Sequence, residues 1–475
     1  MSCKTIHTQV VVVGSGPSGY SSAFRCADLG LDTILVEKYS CLGGVCLNVG
    51  CIPSKSLLHI AKVIREAKSL ADVGVEFLNP VIDIHKICTW KNKVINNFNF
   101  GIKKMADKRN INVIFGSAKF LNRNSIFIKG KTEDIIIAFD NIVLAVGSSP
   151  RKLSYVPSND SRIWDSTSAL SIPIIPKNLL IIGSGIIGLE IATIYSSLGS
   201  KVDVVDSSSN LLSHLDRDIV KMFYNAVSRD FNIFLNSEIS KIISNKQGLL
   251  VSRSIDNNND IQETKLYDAI LVSVGRVPNL TSLGIDKIGL HVNNHGFIEV
   301  NDKLCTNISN IYAIGDIVGQ PMLAHKGIHQ GHIVAEIISG KNHYFDPYVI
   351  PCVLYTDPEV AWVGVTEKTA IENNIEYESV VFPWSALGRA VASNYSNGMT
   401  KLIFDVKTRK VIGGSVVGSN AGELLGEIGL AIEMGCDVED IALTIHAHPT
   451  LYESINLSAQ MFQGTITDLI NVKVK

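Results

Sequence analysis

The sequence lacks any concentration of charge of one sign. Its 43 lysines and arginines nearly balance its 45 aspartates and glutamates, and the formal net charge is −2. Basic residues cluster only briefly, as at Lys103–Lys104 and Lys108–Arg109, in a manner typical of solvated helix faces. Nucleic acids and anionic membranes attract strongly basic surfaces, so the composition argues against either as the main partner.

Long hydrophobic runs and an export signal are also missing. No stretch approaches the roughly 18 uninterrupted apolar residues that a spanning helix needs. The most apolar region, Leu179 to Tyr195, is interrupted by three glycines, a serine and a glutamate. Met1 to Val13 has no basic segment followed by a long apolar one, as a secretory signal would. We therefore expect a cytoplasmic protein.

Cysteine is too sparse and too scattered for a disulfide scaffold. An odd number in a long chain that is not exported predicts mostly small buried hydrophobic side chains. The nine cysteines are Cys3, Cys26, Cys41, Cys46, Cys51, Cys88, Cys305, Cys352 and Cys436. Only the group from Cys41 to Cys51 is dense enough to need its own explanation.

A glycine pattern occurs twice, each time after a predicted strand. Strand Gln9–Val13 precedes the first copy and strand Asn178–Ile182 precedes the second. In both copies an acidic residue follows the last glycine by 18 positions, from 19 to 37 and from 188 to 206. The two sets are Gly14, Gly16, Gly19 with Glu37, and Gly183, Gly185, Gly188 with Asp206.

These patterns are typical of the strand–helix–strand unit that binds dinucleotides. The glycines permit a tight turn, close approach to a pyrophosphate and close packing of helix on strand, while the acid accepts hydrogen bonds from a ribose. A single copy is weak evidence because glycine is common at turns. Two copies in the same context predict two bound dinucleotides.

The order of the patterns predicts an α/β fold with one domain inserted in another. Similar apolar strands ending at Gly147 and Gly275 bracket the second glycine pattern. We expect two Rossmann-like dinucleotide-binding domains and a C-terminal α+β domain. The expected borders are 1–150 for the first part of the host domain, 151–274 for the inserted domain, 275–348 for the return to the host domain, and 349–475 for the C-terminal domain.

Cys46 and Cys51 are separated by four residues. Residues five apart on a straight helix differ by about 7.5 Å in height, whereas a disulfide needs Cα atoms about 4.4–6.8 Å apart. The pair can bond only where a helix starts or is distorted, and Gly50 and Pro53 supply such an irregularity. A disulfide in a cytoplasmic protein is more often catalytic than structural.

Two alternatives for these cysteines remain at this point. A metal could be held by Cys41, Cys46 and Cys51, but it would need a fourth ligand, and the nearest histidine, His59, lies in a helical pattern. Zinc sites also favour shorter paired spacings. The thiols could instead be inert. We favour a redox disulfide and expect no metal.

Four segments together resemble the flavoprotein pyridine nucleotide-disulfide oxidoreductases. The resemblance covers essentially the whole chain. It implies that 1–150 and 275–348 form an FAD-binding domain, that 151–274 form an NAD-binding domain, and that 349–475 form the interface (dimerisation) domain. Within the family, Gly315–His325 and Ile445–Ser454 are most similar to the bacterial members that oxidise dihydrolipoamide. The four segments are Gly43–Lys55, Val274–Asn279, Thr306–Asp316 and His446–Ser454.

The resemblance implies a set of cofactor-binding residues in addition to the glycine patterns. For FAD these are Gly14, Gly16, Gly19, Glu37, Lys38, Gly44, Lys55, Ala118, Gly147, Asp316 and Ala324. For NAD they are Gly183, Gly185, Gly188, Asp206 and Gly275. A carboxylate at Asp206 suits two free ribose hydroxyls and repels a 2′-phosphate, so NAD is expected over NADP. The family more often has glutamate at this position.

Catalytic roles also follow from the resemblance. Cys51 would face the flavin as a thiolate and Cys46 would exchange with the substrate. Lys55 would lie near the flavin, with Glu190 as its counter-charge. A thiol with a pKa near or above about 8.5 must lose a proton before it attacks a disulfide.

His448 is the expected base, because it matches the base position of the family. Glu453 could accept the other ring N–H and fix the tautomer. We expect His446 to be structural, although the local chemistry alone does not choose between the two histidines.

The implied reaction takes electrons from dihydrolipoamide to the Cys46–Cys51 disulfide, then to FAD and NAD. The resemblance implies a homodimer and, as partners, the lipoyl domains and core acyltransferase of 2-oxoacid dehydrogenase complexes, or a glycine-cleavage carrier. Mercuric reductases would need another cysteine pair near the C-terminus, and glutathione reductases would need cations for NADP. A soluble transhydrogenase would lack the cysteine pair. A flavin-bound scaffold without chemistry is disfavoured because the expected catalytic residues are all present.

Overall fold

The computed structural model describes residues 4–131, 133–157, 159–255 and 258–470. The first part of the chain forms a helix-flanked sheet. Its elements are β1 (Lys4–Val13), α1 (Pro17–Asp28), β2 (Thr33–Glu37), α2 (Gly44–Val49), α3 (Cys51–Ser69), α4 (Ile84–Lys108), β3 (Asn112–Asn122), β4 (Ser125–Gly130), β5 (Ile135–Leu144) and β6 (Ser148–Pro150).

The second part adds another parallel sheet. Its elements are β7 (Ile163–Trp164), α5 (Ser166–Ser171), β8 (Asn178–Ile182), α6 (Ile186–Ser197), β9 (Lys201–Val205), α7 (Arg217–Val227), β10 (Asn232–Phe234), β11 (Ile239–Asn245), β12 (Gly248–Ile255), β13 (Asn258–Tyr267), β14 (Ala269–Val272) and β15 (Arg276–Pro278). The parallel order is β10-β9-β8-β14-β7, and β11, β12 and β13 form a separate antiparallel sheet. That antiparallel sheet was not predicted from the sequence.

The chain then returns to the first sheet through β16 (Ile311–Ala313), which pairs in parallel with β5. In this sheet β3, β2, β1, β5 and β16 run parallel, and β4 pairs antiparallel with β3 and β5. The chain crosses to the second sheet after β5 and returns after β14. The short strands at these two crossings, β6 and β15, pair with each other. The second sheet is therefore inserted in the first, as predicted.

The last part is an antiparallel sheet with helices. Its order is β17-β18-β21-β20-β19. Including the preceding helix, the elements are α8 (Ala324–Ile338), β17 (Cys352–Leu354), β18 (Glu359–Gly364), α9 (Glu367–Glu372), β19 (Tyr377–Pro383), α10 (Gly388–Ala392), β20 (Met399–Asp405), β21 (Val411–Gly418), α11 (Ala421–Met434), α12 (Val438–Leu443) and α13 (Glu453–Gln463). This arrangement agrees with the expected α+β unit.

The three parts share buried surface. One hydrophobic cluster contains Leu57 of α3, Leu189 of α6 and Val360 of β18. Helix α3 thus packs against both of the other parts, and burial of this kind is the main force that holds them together. No helix within the described ranges is both long and apolar enough to cross a membrane.

Candidate active site

The helix carrying the two cysteines is broken between them. Cys46 lies in α2, Cys51 is the first residue of α3, and Gly50 joins them with φ −136° and ψ −106°. The break brings the two Cα atoms to 4.7 Å, and the sulfurs form a disulfide. The irregularity predicted at Gly50 is present and has the predicted effect. Cys51 also lies at a helix N-terminus, which favours a thiolate over a thiol.

An ion pair lies one turn beyond Cys51. Lys55 Nζ is 2.9 and 3.0 Å from the two carboxylate oxygens of Glu190, whose side chain is 6% exposed. The ammonium also lies 4.3 Å from the ring centroid of Tyr355, whose backbone N–H donates to Glu190 over 3.2 Å. All three parts of the chain meet here, since α3, α6 and the segment after β17 each contribute one residue.

The two neighbouring histidines have opposite environments. His448 is 76% exposed, and its Nδ1 is 2.8 Å from Glu453 Oε1. Glu453 Oε2 accepts from the Thr450 backbone N–H, which fixes the carboxylate. Within the ranges that the structure describes, no residue hydrogen-bonds to His448 Nε2. The hydrogen bond expected between His448 and Glu453 is present, with the geometry that a base needs.

His446, in contrast, uses both ring nitrogens inside the protein. Its side chain is 4% exposed, with Nε2 at 2.7 Å from Glu427 Oε1 and Nδ1 at 2.8 Å from the Thr444 carbonyl oxygen. Neither nitrogen remains for proton exchange with a substrate. The structure therefore distinguishes His446 from His448, which the sequence alone did not.

The first glycine pattern forms an open turn at the end of β1. A Cβ added at Gly14 or Gly19 would collide with backbone, whereas at Gly16 the nearest heavy atom would lie 4.0 Å away, on Gly44. Helix α1 begins after Gly16 without a side-chain cap, so its first amides are available to an anion. Residues at this turn fit the pyrophosphate of a dinucleotide.

Hydrogen bonds fix the orientation of Glu37, the acid at the end of β2. Glu37 Oε2 accepts from both the backbone N–H and the hydroxyl of Ser15, at 3.0 and 2.6 Å, and Oε1 accepts from the Tyr39 backbone N–H. Glu37 is buried. Its carboxylate therefore faces the glycine turn in a fixed position, as a ribose-binding acid would.

The second glycine pattern repeats these contacts. A Cβ at Gly185 would meet no heavy atom within 4 Å, while at Gly183 and Gly188 it would collide with backbone. Asp206 Oδ2 accepts from the backbone N–H and hydroxyl of Ser184, at 2.7 and 2.8 Å. Helix α6 also begins without a side-chain cap, so this turn fits a second dinucleotide.

Asp206 is ionised at neutral pH. Burial raises the pKa of Asp206, but hydrogen bonds from the Ser184 and Ser208 backbone amides outweigh burial and hold the pKa below its ordinary value. A permanent negative charge at this position favours ribose hydroxyls and disfavours a phosphate.

The two crossings between the sheets meet at Asp316. Ser148 Oγ donates to Asp316 Oδ2 over 2.6 Å, and the Arg276 Nε donates to Ser148 Oγ over 2.7 Å. The adjacent Gly147 and Gly275 have φ of +65° and +108°, in the left-handed region that favours glycine. Asp316 lies at the end of β16, at the same edge of the sheet as the first glycine turn.

The remaining predicted cofactor residues lie around the same sheet. The Lys38 ammonium is 4.7 Å from the ring centroid of Tyr39, Ala118 is buried on β3, and Ala324 is the first residue of α8. Gly44 begins α2 with φ +59°, and a Cβ there would lie 2.6 Å from Gly16 Cα. The redox segment and the glycine turn are thus in direct contact.

Within one chain, the histidine and the disulfide form separate groups. Among the residues that the structure describes, no hydrogen bond or ion pair joins His448 or Glu453 to the segment from Cys46 to Lys55. Nor do the described residues include a group of three or more His, Cys, Asp or Glu side chains arranged to hold a metal.

Several polar residues of the site were not identified from the sequence. Ser15 and Ser184 occupy the middle of the two glycine patterns, a repetition that could have been noticed. Tyr355 and Asn99 reach the redox segment through tertiary folding and have no local signal. Lys326 is buried and donates to the Gly319 carbonyl oxygen. Burial lowers the pKa of Lys326 to about 8, although Asp316 acts in the opposite direction.

Two family descriptions match the chain. Residues 8–331 match the pyridine nucleotide-disulphide oxidoreductases, and residues 350–459 match the dimerisation domain of the same proteins. Together these matches cover the two nucleotide-binding parts and the C-terminal sheet.

Individual relatives agree over the full length. The chain is 62% identical over 475 residues to a dihydrolipoyl dehydrogenase of Buchnera aphidicola subsp. Baizongia pistaciae, covering 100% of both chains. It is 57% identical over 470 residues to a dihydrolipoyl dehydrogenase of Vibrio parahaemolyticus, covering 99% of this chain and 98% of the relative.

Solved structures show the same fold. LpdA of Mycobacterium tuberculosis superposes with a TM-score of 0.87 at 25% identity, covering 96% of this chain and 99% of that one. The HOCl-induced flavoprotein disulfide reductase RclA of Escherichia coli gives a TM-score of 0.84 at 27% identity, covering 95% and 99%.

Proposed function

This chain belongs to the pyridine nucleotide-disulphide oxidoreductase family, and from that membership we propose which of its residues oxidise dihydrolipoyl groups. The activity is that of a dihydrolipoyl dehydrogenase with FAD and NAD. One observation carries the assignment of residues: the Cys46–Cys51 disulfide lies at a broken helix junction against the first glycine turn. When bound, FAD supplies the two-electron carrier that links the cysteine pair to NAD.

The first step is removal of a proton from the substrate dithiol. His448 Nε2 accepts this proton, while Glu453 holds Nδ1 in the donor role and stabilises the charged ring. The Thr450 backbone N–H donates to Glu453 Oε2 over 2.6 Å and keeps the carboxylate in place. A positioned base is needed because a thiol with a pKa near or above about 8.5 is mostly protonated at neutral pH.

Thiol–disulfide exchange then moves two electrons. A substrate thiolate attacks Cys46 Sγ, the bond between Cys46 and Cys51 breaks, and Cys51 leaves as a thiolate. The sulfur of the second substrate thiol then attacks the substrate sulfur bound to Cys46, and its proton passes to the departing Cys46 sulfur. That attack closes the substrate disulfide and releases Cys46, so the substrate is oxidised and the protein pair is reduced.

The charges around Cys51 suit its role as leaving group. The N-terminus of α3 and the Lys55 ammonium both favour an anionic sulfur. Glu190 and Tyr355 hold the ammonium in place. Cys46 lies in α2 instead of at the start of α3, and we assign it the exchange with the substrate.

The base and the disulfide come from different copies of the chain. In the described part of one chain, no hydrogen bond or ion pair joins His448 to the cysteines, and the C-terminal part matches a dimerisation domain. We place His448 of the partner subunit opposite Cys46, so a monomer would retain the disulfide and lack the base. The homodimer serves 2-oxoacid dehydrogenase complexes, and the proposed partners are their lipoyl domains and core acyltransferase.

We assign one nucleotide to each of the first two sheets. We assign FAD to residues 1–150 and 275–348, with Glu37 for the ribose and Asp316 for the ribityl chain, and NAD to residues 151–274. Residues 349–475 form the interface domain. The ionised Asp206 makes NAD the preferred nucleotide, because it would repel the 2′-phosphate of NADP.

An anaerobic titration tests the proposal. The purified holoenzyme is titrated with dihydrolipoamide while its visible spectrum is recorded, and NAD or NADP is then added. Reduction by dihydrolipoamide, with reoxidation by NAD and not by NADP, is expected. A flavin that dihydrolipoamide cannot reduce would contradict the substrate, and equal reoxidation by NADP would contradict the role of Asp206.

A Cys46→Ser variant is the matched control for the exchange step. It should retain flavin and NADH-dependent reduction of an artificial electron acceptor, which does not need the disulfide. It should lose oxidation of dihydrolipoamide by at least about a hundredfold, since no sulfur remains for substrate attack.

A further inference from the structure

The segment that carries Cys46 has little to hold it in place. Helix α2 has six residues, only Leu47 of them is buried, and neither end has a side-chain cap. A helix of this length is not stable alone, because nucleation costs more than so few hydrogen bonds return. Gly50 joins α2 to α3, and glycine restricts the backbone less than any other residue does.

In the oxidised protein the disulfide links α2 directly to α3. Exchange with the substrate opens the disulfide in every catalytic cycle, and Cys46 must then stay close to Cys51 for the bond to form again. A loose α2 would lower the effective concentration of one thiol at the other. Some other contact must therefore fix α2 when the disulfide is open.

The side chain of Asn48 makes such contacts. Its Nδ2 donates to the carbonyl oxygens of Leu42 and Gly44, both over 2.9 Å, and so ties the end of α2 to its start and to the residues before it. Its Oδ1 accepts from Asn99 Nδ2 over 2.8 Å and from the Cys41 thiol over 3.5 Å. Every donor hydrogen and the acceptor oxygen of this amide is used.

The start of α2 is itself anchored. The Gly43 backbone N–H donates to the Ser15 carbonyl oxygen over 2.9 Å, next to the first glycine turn. Asn99 lies on α4, a 25-residue helix with its own side-chain cap at Asp83. Asn48 therefore connects α2 to the first glycine turn, through Gly43 and Gly44, and to α4, through Asn99.

None of these contacts includes the sulfur of Cys46 or Cys51. The third thiol, Cys41, stays protonated and remains a donor, because burial and the Glu37 carboxylate raise the pKa of Cys41. Opening the disulfide therefore breaks none of the hydrogen bonds of this network.

We propose that Asn48 and Asn99 are positioning residues that hold Cys46 beside Cys51 while the disulfide is open, and so set the equilibrium between the dithiol and the disulfide. Asn48 orients α2, and Asn99 orients the amide of Asn48. The inference extends the proposed exchange at Cys46 and Cys51, on which it rests.

The test compares Asn48→Ala, Asn99→Ala and Asn96→Ala holoenzymes with the wild type. Asn96 is exposed on the same helix as Asn99, so its replacement controls for the gain in helix propensity. Each protein is equilibrated anaerobically with mixtures of reduced and oxidised dithiothreitol. The thiols are then alkylated and counted by mass spectrometry, which gives the closure constant of the disulfide.

Asn48→Ala is expected to lower the closure constant about tenfold, which corresponds to a reduction potential about 30 mV less negative. Asn99→Ala should lower it about threefold, and Asn96→Ala should leave it unchanged. Alkylation of reduced Cys46 should be faster in both of the first two variants. Activity with dihydrolipoamide should fall, while NADH oxidation by an artificial acceptor stays at the wild-type rate.

An unchanged closure constant in Asn99→Ala, with wild-type flavin content, would overturn the proposal even if the melting temperature fell. This variant decides the question if Asn48→Ala does not fold. Failure of the wild type to oxidise dihydrolipoamide would contradict the proposed function instead, and the closure constant could still be measured with dithiothreitol.

Discussion

His446 and His448 are separated by one residue and have different partners. Each ring is paired with a glutamate, Glu427 for His446 and Glu453 for His448. The second ring nitrogen makes the difference, because His446 gives it to a carbonyl oxygen and His448 keeps it at the surface. The sequence could not show this, since burial of a side chain depends on what packs over it.

The two glutamates offer a matched pair of substitutions. Glu453→Gln keeps the shape of the side chain and removes the charge that stabilises the protonated ring, so kcat for dihydrolipoamide oxidation should fall by about 10–100-fold. Glu427→Gln should leave kcat within about twofold of the wild type and affect stability instead. Steady-state kinetics with dihydrolipoamide and NAD, beside the artificial-acceptor assay, separate these effects.

Equal losses of kcat in the two variants would contradict the division of roles. So would a loss of the artificial-acceptor activity in Glu453→Gln, because that reaction does not need the proposed base, His448.

Some polar contacts of single residues could be foreseen and others could not. The sequence pointed to Glu37 and Asp206 by their spacing from the glycines. It did not point to Ser15 and Ser184, which orient those acids, because serine is common in turns. Asn99 and Tyr355 lie far along the chain from the residues they contact, so only the folded structure brings them together.

At the level of elements, helices α1 and α8 pack unusually closely. A Cβ at Gly331 would lie 2.6 Å from the Ser18 carbonyl oxygen and 3.0 Å from the Ser22 nitrogen. Both atoms belong to the backbone of α1, which cannot move aside as a flexible side chain can. The two helices flank the first glycine turn and Asp316, so their spacing affects the site expected to hold FAD.

Gly331→Ala should therefore push α8 away from α1. We expect a cost of about 1–3 kcal/mol for the overpacked contact, seen as a lower melting temperature and faster loss of flavin on dilution. Gly101→Ala is the control, since a Cβ there meets no heavy atom within 4 Å and alanine is the better helix former. Flavin retention equal to that of the wild type in Gly331→Ala would contradict this account.

The strands next to the glycine turns were predicted more accurately from the sequence than the other strands. Strand β8 occupies Asn178–Ile182, as predicted, because it is a buried apolar run next to a glycine turn. Strand β1 begins at Lys4, earlier than the apolar run that revealed it, because its first residues pair with β5. The antiparallel sheet β11–β13 has a polar face and was missed.

On the scale of the whole molecule, ion pairs link the three parts of the chain. Arg65 of α3 binds Asp230 over 2.8 Å and Asp357 over 2.9 Å. Buried Lys401 lies within 3.1 Å of carboxylate oxygens of Asp216 and Glu367. Such pairs specify how the parts dock, even where their net contribution to stability is small.

Lys91 forms a different kind of link, without an acidic partner among the described residues. It is buried on α4, and its Nζ donates to the Leu170 carbonyl oxygen at the end of α5 over 2.5 Å. Burial lowers the pKa of Lys91, and the nearby Cys88 offsets only part of this effect. The folded protein thus binds this proton less tightly than the unfolded chain.

The sign of the pH dependence follows. Protonated Lys91 opposes folding below its folded pKa, and this penalty disappears as the pH rises toward the ordinary lysine pKa of about 10.4. Relative to the wild type, Lys91→Met should be most stable near pH 7 and should lose roughly 1–3 °C of that advantage by pH 10. Melting temperatures followed by intrinsic fluorescence provide the measurement.

Lys93→Met, on the exposed face of the same helix, is the control and should show a constant difference from the wild type. A constant difference for Lys91→Met as well would contradict the buried-charge explanation.

The return of β16 to the first sheet has a consequence for synthesis on the ribosome. The glycine turn and Glu37 emerge early, but β16 and Asp316 follow only after the whole inserted sheet has been made. Parts of a nascent chain fold as they appear, so the inserted sheet is expected to fold while its host is still incomplete. Flavin capture is then a late event, and nascent chains arrested before residue 311 should bind no FAD.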